Sequence, residues 1–268
     1  MALPQPTDPP AAADASAPPA GLQPSPPSAT AASVAGHGAP AGPRPAHSHR
    51  IDWDDWLRVV ERQRRALARV IGETNGHPLP LPADFYVAAT RASFEIDGLS
   101  ASPGELAAAL APGAAGKACR SRQSQRIRNH VAVLHHAQLL LRRGQPLHPD
   151  DIIRWYTAIS CGLSNSALDD STRNRLASIV TRINSPQMRL RPAVEDAAQL
   201  HHRLLTETFV PAFNGIVARV VLHYHLSRCG LPTVIFDSSA DRAAPTDEAL
   251  LTRRLMHLIG ARYEEMLM

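Results

Sequence analysis

The chain has 268 residues, a formal net charge of +4, a pI near 9.3 and only 4% aromatic residues. The positive excess is arginine spread over helical stretches, Arg64, Arg65 and Arg69 in one and Arg120, Arg122, Arg126 and Arg128 in another. With so few rings for base stacking, nucleic acid is not expected as the main partner. Cys119, Cys161 and Cys229 lie far apart without a CxxC pair, which excludes a disulfide framework or zinc ribbon, and no run of about 18 apolar residues could span a membrane.

Residues 1–48 hold 12 of the 24 prolines among Ala, Ser and Gly, with only Asp8, Asp14 and Arg44 charged. Such a segment buries too little apolar surface to offset its conformational entropy, and it reads as a disordered leader. It has no basic region followed by an apolar core, so it is not an ordinary secretory signal. Similar Ser/Pro/Ala-rich leaders occur on bacterial proteins injected into host cells. Two locations therefore stay open, the cytoplasm or export into a host cell, and the cysteines point to a reducing one.

About 220 residues remain, enough for one domain over 51–268. Residues 51–74 carry apolar residues with helical period (Trp53, Trp56, Leu57, Val60, Leu67, Val70, Ile71) up to Asn75-Gly76, and Pro78, Pro80 and Pro82 then require a loop. A short helix through Phe85 to Ser93 breaks near Gly98. Ser102-Pro103-Gly104-Glu105 has the form of a capping box with proline at the first helical position, opening a helix through Leu110.

Residues 119–143 form a long helix stopped by Gly144, and Pro149-Asp150-Asp151 starts another running to about Ser160. Residues 175–183, with the β-branched Ile179, Val180, Thr181 and Ile183, are the one extended candidate, a short β-hairpin flap. Helices follow over 192–208, over 216–229, and from about Thr246 to the end. The second is apolar on nearly every face, as a buried helix is. The fold class is all-α, a helical bundle around a central buried helix with one short hairpin flap.

The pairs His135-His136, His201-His202 and His223/His225 do not make a metal site. Neighbouring helical residues point about 100° apart, and no HExxH is present.

Three stretches together resemble the Fic family, over roughly residues 80–235. The first is Thr208-Phe209-Val210-Pro211-Ala212-Phe213-Asn214-Gly215-Ile216-Val217-Ala218-Arg219, which is similar to HPFx[DE]GNGRxxR, followed by Cys229-Gly230-Leu231-Pro232. The second, Ser93-Phe94-Glu95-Ile96-Asp97-Gly98, resembles the [ST]xxxE[GN] inhibitory motif. The third, Ser171-Thr172-Arg173-Asn174-Arg175 leading to Val180, looks like the entry to the target-docking flap.

The resemblance implies AMP transfer from ATP to a hydroxyl of a target protein. Its general base would be the motif histidine, and its magnesium would sit on the motif acid. Its phosphates would lie in the GNG cradle at a helix N-terminus. In this sequence the histidine position is Thr208, the acid is Ala212, and the first glycine and first arginine are Phe213 and Ile216. Asn214, Gly215 and Arg219 remain as nucleotide-binding candidates. Ser93, Asp97 and Gly98 are the inhibitory-motif candidates, and Arg173, Arg175 and Val180 are the flap candidates.

The resemblance thus leaves weak ATP binding open and magnesium without its carboxylate. It favours a catalytically impaired, partner-binding pseudoenzyme. The alternative is a nucleotidyl transferase that acts on a protein with non-standard catalytic residues. The target protein and the oligomeric state are not legible in the residues.

Overall fold

The computed structural model describes residues 53–71, 81–111, 121–161, 169–186, 189–207, 209–210, 212–236 and 247–268. The leader over 1–48, the turn at Asn75-Gly76, Cys119 and Thr208 lie outside the described residues.

Nine helices are present among the described residues, and no strand. They are α1 (Trp53–Ile71), α2 (Ala83–Ile96), α3 (Pro103–Leu110), α4 (Arg122–Arg142), α5 (Pro149–Ser160), α6 (Asp170–Asn184), α7 (Leu190–Thr206), α8 (Asn214–Arg228) and α9 (Glu248–Leu267). The capping box forms as read: Ser102 Oγ accepts from the Glu105 backbone N–H at 3.2 Å while the Glu105 carboxylate accepts from Ser102 N–H. None of the described helices is long and apolar enough to cross a membrane.

α8 is the pillar of the bundle, and all eleven residues from Ile216 to Leu226 are buried. Its two sides serve two apolar clusters. Ile216, Val217, Val220, Val221 and Tyr224 pack with α2, α4, α5 and α6. Leu222 and Leu226 face the other way, onto α1, α7 and α9. A helix serving both cores can show no exposed polar face, which explains its nearly unbroken apolar sequence.

The hairpin flap expected over 175–183 is not there, because that segment is the body of α6. Asp169 caps it by accepting from the Thr172 N–H at 2.7 Å. Leu176, Ile179, Val180 and Ile183, spaced i, i+3, i+4 and i+7, all turn into the core. The β-branched composition suggested a strand, but tertiary burial of a helical stripe overrides such preferences. Val180 is therefore a core residue of α6 and not part of a hairpin flap.

The central position of α8 makes a prediction about Val221, which has no exposed surface. Val221→Asp places an unpaired carboxylate in the dry interior, at a cost of several kcal/mol. The variant is expected to be insoluble or to lose its cooperative thermal transition by circular dichroism. A soluble variant that melts near the wild-type temperature contradicts the assignment.

Candidate functional site

The site forms where α2 ends and α8 begins. α2 stops because Gly98 takes a left-handed conformation (φ +74°), and the Leu99 N–H then turns back to the Phe94 carbonyl at 2.8 Å. This glycine-closed end holds Asp97 at the C-cap, facing the first turn of α8.

Arg219 sits one turn into α8 and is only 5% exposed. Its Nε donates to Ser93 Oγ at 3.0 Å and its Nη2 to the Ser93 carbonyl at 2.8 Å. Nη2 also forms a short ion pair with Asp97 Oδ1. The guanidinium is thus held by a carboxylate, a hydroxyl and one of the last carbonyls of a helix, whose macrodipole end is negative. The Asp97 side chain, 19% exposed, leaves this pair close to dry.

Gly215 shares a face with Arg219, four residues apart. A Cβ placed on Gly215 would lie 2.7 Å from Asp97 Oδ1 and 3.2 Å from Arg219 Nη1. The Asp97 carboxylate therefore occupies the space directly over Gly215, at the positive end of the α8 dipole, where an anion is stabilised. Only glycine admits it there.

Asn214, the first residue of α8, joins two helices. Its Nδ2 donates to the Leu204 carbonyl at 2.7 Å, tying the last turn of α7 to the start of α8.

The loop ahead of α8 carries the rest of the stretch on which the sequence resemblance rests. Thr208, in the histidine position, lies outside the described residues, and Ala212 is exposed. Phe213 adopts φ +57°, ψ +21°, the left-handed conformation that a glycine would take without strain. Its ring lies under the Arg126 guanidinium at 4.8 Å, and Phe209 lies under that of Arg175 at 5.1 Å.

Of the flap candidates, Arg175 alone reaches this loop. It donates to Thr172 Oγ1 at 3.0 Å and to the Glu207 carbonyl at 3.5 Å. Arg173 instead pairs with Asp150 of α5 at 2.6 Å, on the surface. Arg126 was not legible as a neighbour of the motif, because nothing in the α4 sequence marks which arginine turns toward Phe213.

Three further groups lie around Arg219, all buried: His130 of α4, which the sequence did not single out, and His201 of α7 and His223 of α8, whose place beside Arg219 the sequence did not reveal. The His130 ring exchanges a hydrogen bond with Thr90 at 2.9 Å, and His223 Nε2 lies 2.8 Å from the Val234 carbonyl. Burial, assisted by the nearby Arg219 charge, pushes His130 and His201 down to about 3 and His223 to about 4. They are neutral at pH 7, so Asp97 is the anion facing Arg219. Elsewhere on α8, His225 Nε2 meets Asp196 at 2.8 Å. Burial raises the pKa of Asp196, but its bonds to His225 and Arg182 outweigh this and hold it below the usual carboxylate range. No group of three or more potential metal ligands is found among the described residues.

No family model and no curated protein matches the chain. Solved structures do. The nematode protein Fic-1 from C. elegans, residues 134–508, is similar at 21% identity with a TM-score of 0.57, over 80% of this chain and 71% of that one. Its E274G variant superposes at 19% identity with a TM-score of 0.61 and the same coverage. A Fic-domain-containing signalling protein from Bacteroides thetaiotaomicron matches at 16% identity and a TM-score of 0.56, over 79% of this chain and 95% of that one. The chain has the Fic fold.

Two measurements test the site. Removing one partner of a nearly dry ion pair costs about 3–5 kcal/mol, and the partial exposure of Asp97 places the loss toward the lower end. In a double-mutant cycle of Asp97→Ala and Arg219→Ala, coupling of about 1–3 kcal/mol is expected. Additive losses in urea denaturation would show that the two side chains do not depend on each other.

The second measurement uses pH. His130, His201 and His223 titrate lower in the fold than the ordinary 6.5 that they regain on unfolding. Below about pH 6.5 the unfolded chain binds more protons, so stability is full above that pH and declines as pH falls toward 4. The loss approaches about 1.4 kcal/mol per pH unit for each histidine. Melting temperatures between about pH 7.5 and 4.5 should fall accordingly. A flat profile down to pH 5 contradicts their burial.

Proposed function

We propose that this protein is a catalytically impaired Fic-fold protein that acts by holding a partner protein and not by transferring a nucleotide. The observation that carries the reading is the Asp97 carboxylate seated over Gly215 and paired with Arg219. Asp97 neutralises the one motif arginine that remains and fills the space over the helix N-terminus where a phosphate would approach.

The residues fit a phosphate group only in part. If Asp97 withdraws, Arg219 and the first turn of α8 can hold one phosphate. An adenine nucleotide would supply the phosphoanhydride bond for group transfer, but this chain has little to act on it. Ala212 offers no oxygen to a magnesium ion, Ile216 offers no charge, and the bulk of Phe213 stands where backbone would need to approach closely. A threonine such as Thr208 does not serve as a general base near neutral pH. The leader composition suits a protein exported to act inside another cell, and we include this in the proposal.

The test measures nucleotide binding and transfer separately. Wild-type protein is titrated with a fluorescent ATP analogue, with and without magnesium, beside Asp97→Ala. Wild-type binding is expected to be weak and indifferent to magnesium. Asp97→Ala should bind about tenfold or more tightly, because an uncompensated guanidinium and helix terminus are then open to phosphate. Labelled ATP should leave no AMP on candidate proteins with either form. Transfer by the wild type that disappears in Arg219→Ala would overturn the proposal in favour of an active transferase.

A further inference from the structure

On its outward face α1 forms, with the start of α7, a groove of about 650 Å³ that shares no lining residue with the Arg219 site. One wall carries Arg58, Arg62, Arg65 and Arg69. Their spacing of four, three and four residues puts all four in a single stripe along the helix, about 17 Å from end to end. Leu57, Ala66 and Leu190 supply the apolar part of the lining.

The stripe is short of negative charge. Arg58 and Arg65 make exposed ion pairs with Asp55 and Glu61 on the same helix, contacts that are individually weak and readily exchanged. Arg62 and Arg69 are exposed and have no carboxylate partner among the described residues. Arg189, also exposed, stands next to Leu190. Residues 1–52 contribute only Asp8, Asp14 and Asp52 against Arg44 and Arg50, and the whole chain is at +4.

We propose that this groove docks an acidic amphipathic helix of a partner protein. A helix of about three turns matches the length of the stripe. Carboxylates recurring on it at i, i+4, i+7 and i+11 would meet the guanidinium forks, while its leucine-type side chains would cover Leu57, Ala66 and Leu190. A phosphate polymer fits less well. The indoles beside the groove, which could have stacked on bases, are engaged: Trp53 is covered by Arg191 at 4.9 Å, and Trp56 donates to the Met256 carbonyl at 2.9 Å. A bilayer surface would not enter a concave groove. The proposal stands apart from the nucleotide reading, because its outcome does not depend on Asp97 or Arg219.

Fluorescence anisotropy of the full chain tests it. The probes are labelled amphipathic peptides of about four turns, leucine on one face and glutamate flanking it in several registers, with lysine-for-glutamate and serine-for-leucine counterparts. A short duplex DNA and phosphatidylserine-containing vesicles represent the other anion classes. At least one acidic register should bind, weaken with salt, and lose about tenfold or more in affinity with Arg62→Glu/Arg69→Glu. The milder Arg62→Gln/Arg69→Gln should lose less. Both changes lie on exposed side chains, so melting curves should stay at wild type. The proposal is overturned if no acidic register binds, if charge reversal leaves binding intact, or if the serine-for-leucine peptides bind equally well. It is also overturned if duplex or vesicles bind more tightly, or if sedimentation shows self-association that the reversal abolishes.

Discussion

A guanidinium inside the central helix sets the terms for everything near it. Arg219 lies within a helix that both apolar clusters use as their wall, and a charge there is tolerated only with a partner in place. The end of α2 supplies that partner. Ser93 gives a hydroxyl and a carbonyl, Asp97 gives the carboxylate, and Gly98 turns the chain so that Asp97 can reach. Because the carboxylate sits over α8, Gly215 must lack a side chain. The three neutral histidines are kept so mainly by their burial, with the nearby Arg219 charge adding to it.

The start of α8 is held by local contacts as well as by the core. Phe213 keeps a glycine-like backbone conformation although its side chain disfavours it, with the ring resting against Arg126. Asn214 is a strut between α7 and α8. Beyond them Ile216, Val220 and Val221 are fully buried, and the chain has the Fic fold at 16–21% identity to the solved structures.

Much of this was legible in the residues, for reasons that can be named. The run from Ile216 to Cys229 has too few polar positions to lie on a surface, and an arginine within it has to find an acid. Glycine at 98, after a helical pattern, marked the stop that brings Asp97 into place. The misreading of α6 has an equally specific cause. Ile179, Val180, Thr181 and Ile183 carry strand-like composition, while the stripe Leu176, Ile179, Val180 and Ile183 carries helical period, and the period prevailed. The histidines around Arg219 were out of reach because they come from three different helices. Their meeting is set by how α4, α7 and α8 pack, which no local pattern records.

The pair between Asp97 and Arg219 also imposes an order of events on the growing chain. Its two members are 122 positions apart, and all of α3 to α7 lies between them. When α2 leaves the ribosome, its last turn has nothing to hold. The apolar faces of α4, α5 and α6 likewise await a helix that is synthesised near the end. Contacts this distant in sequence can close only after α8 has been made, which tends to slow folding. A chain interrupted before α8 would present those faces of α4, α5 and α6 to chaperones and proteases.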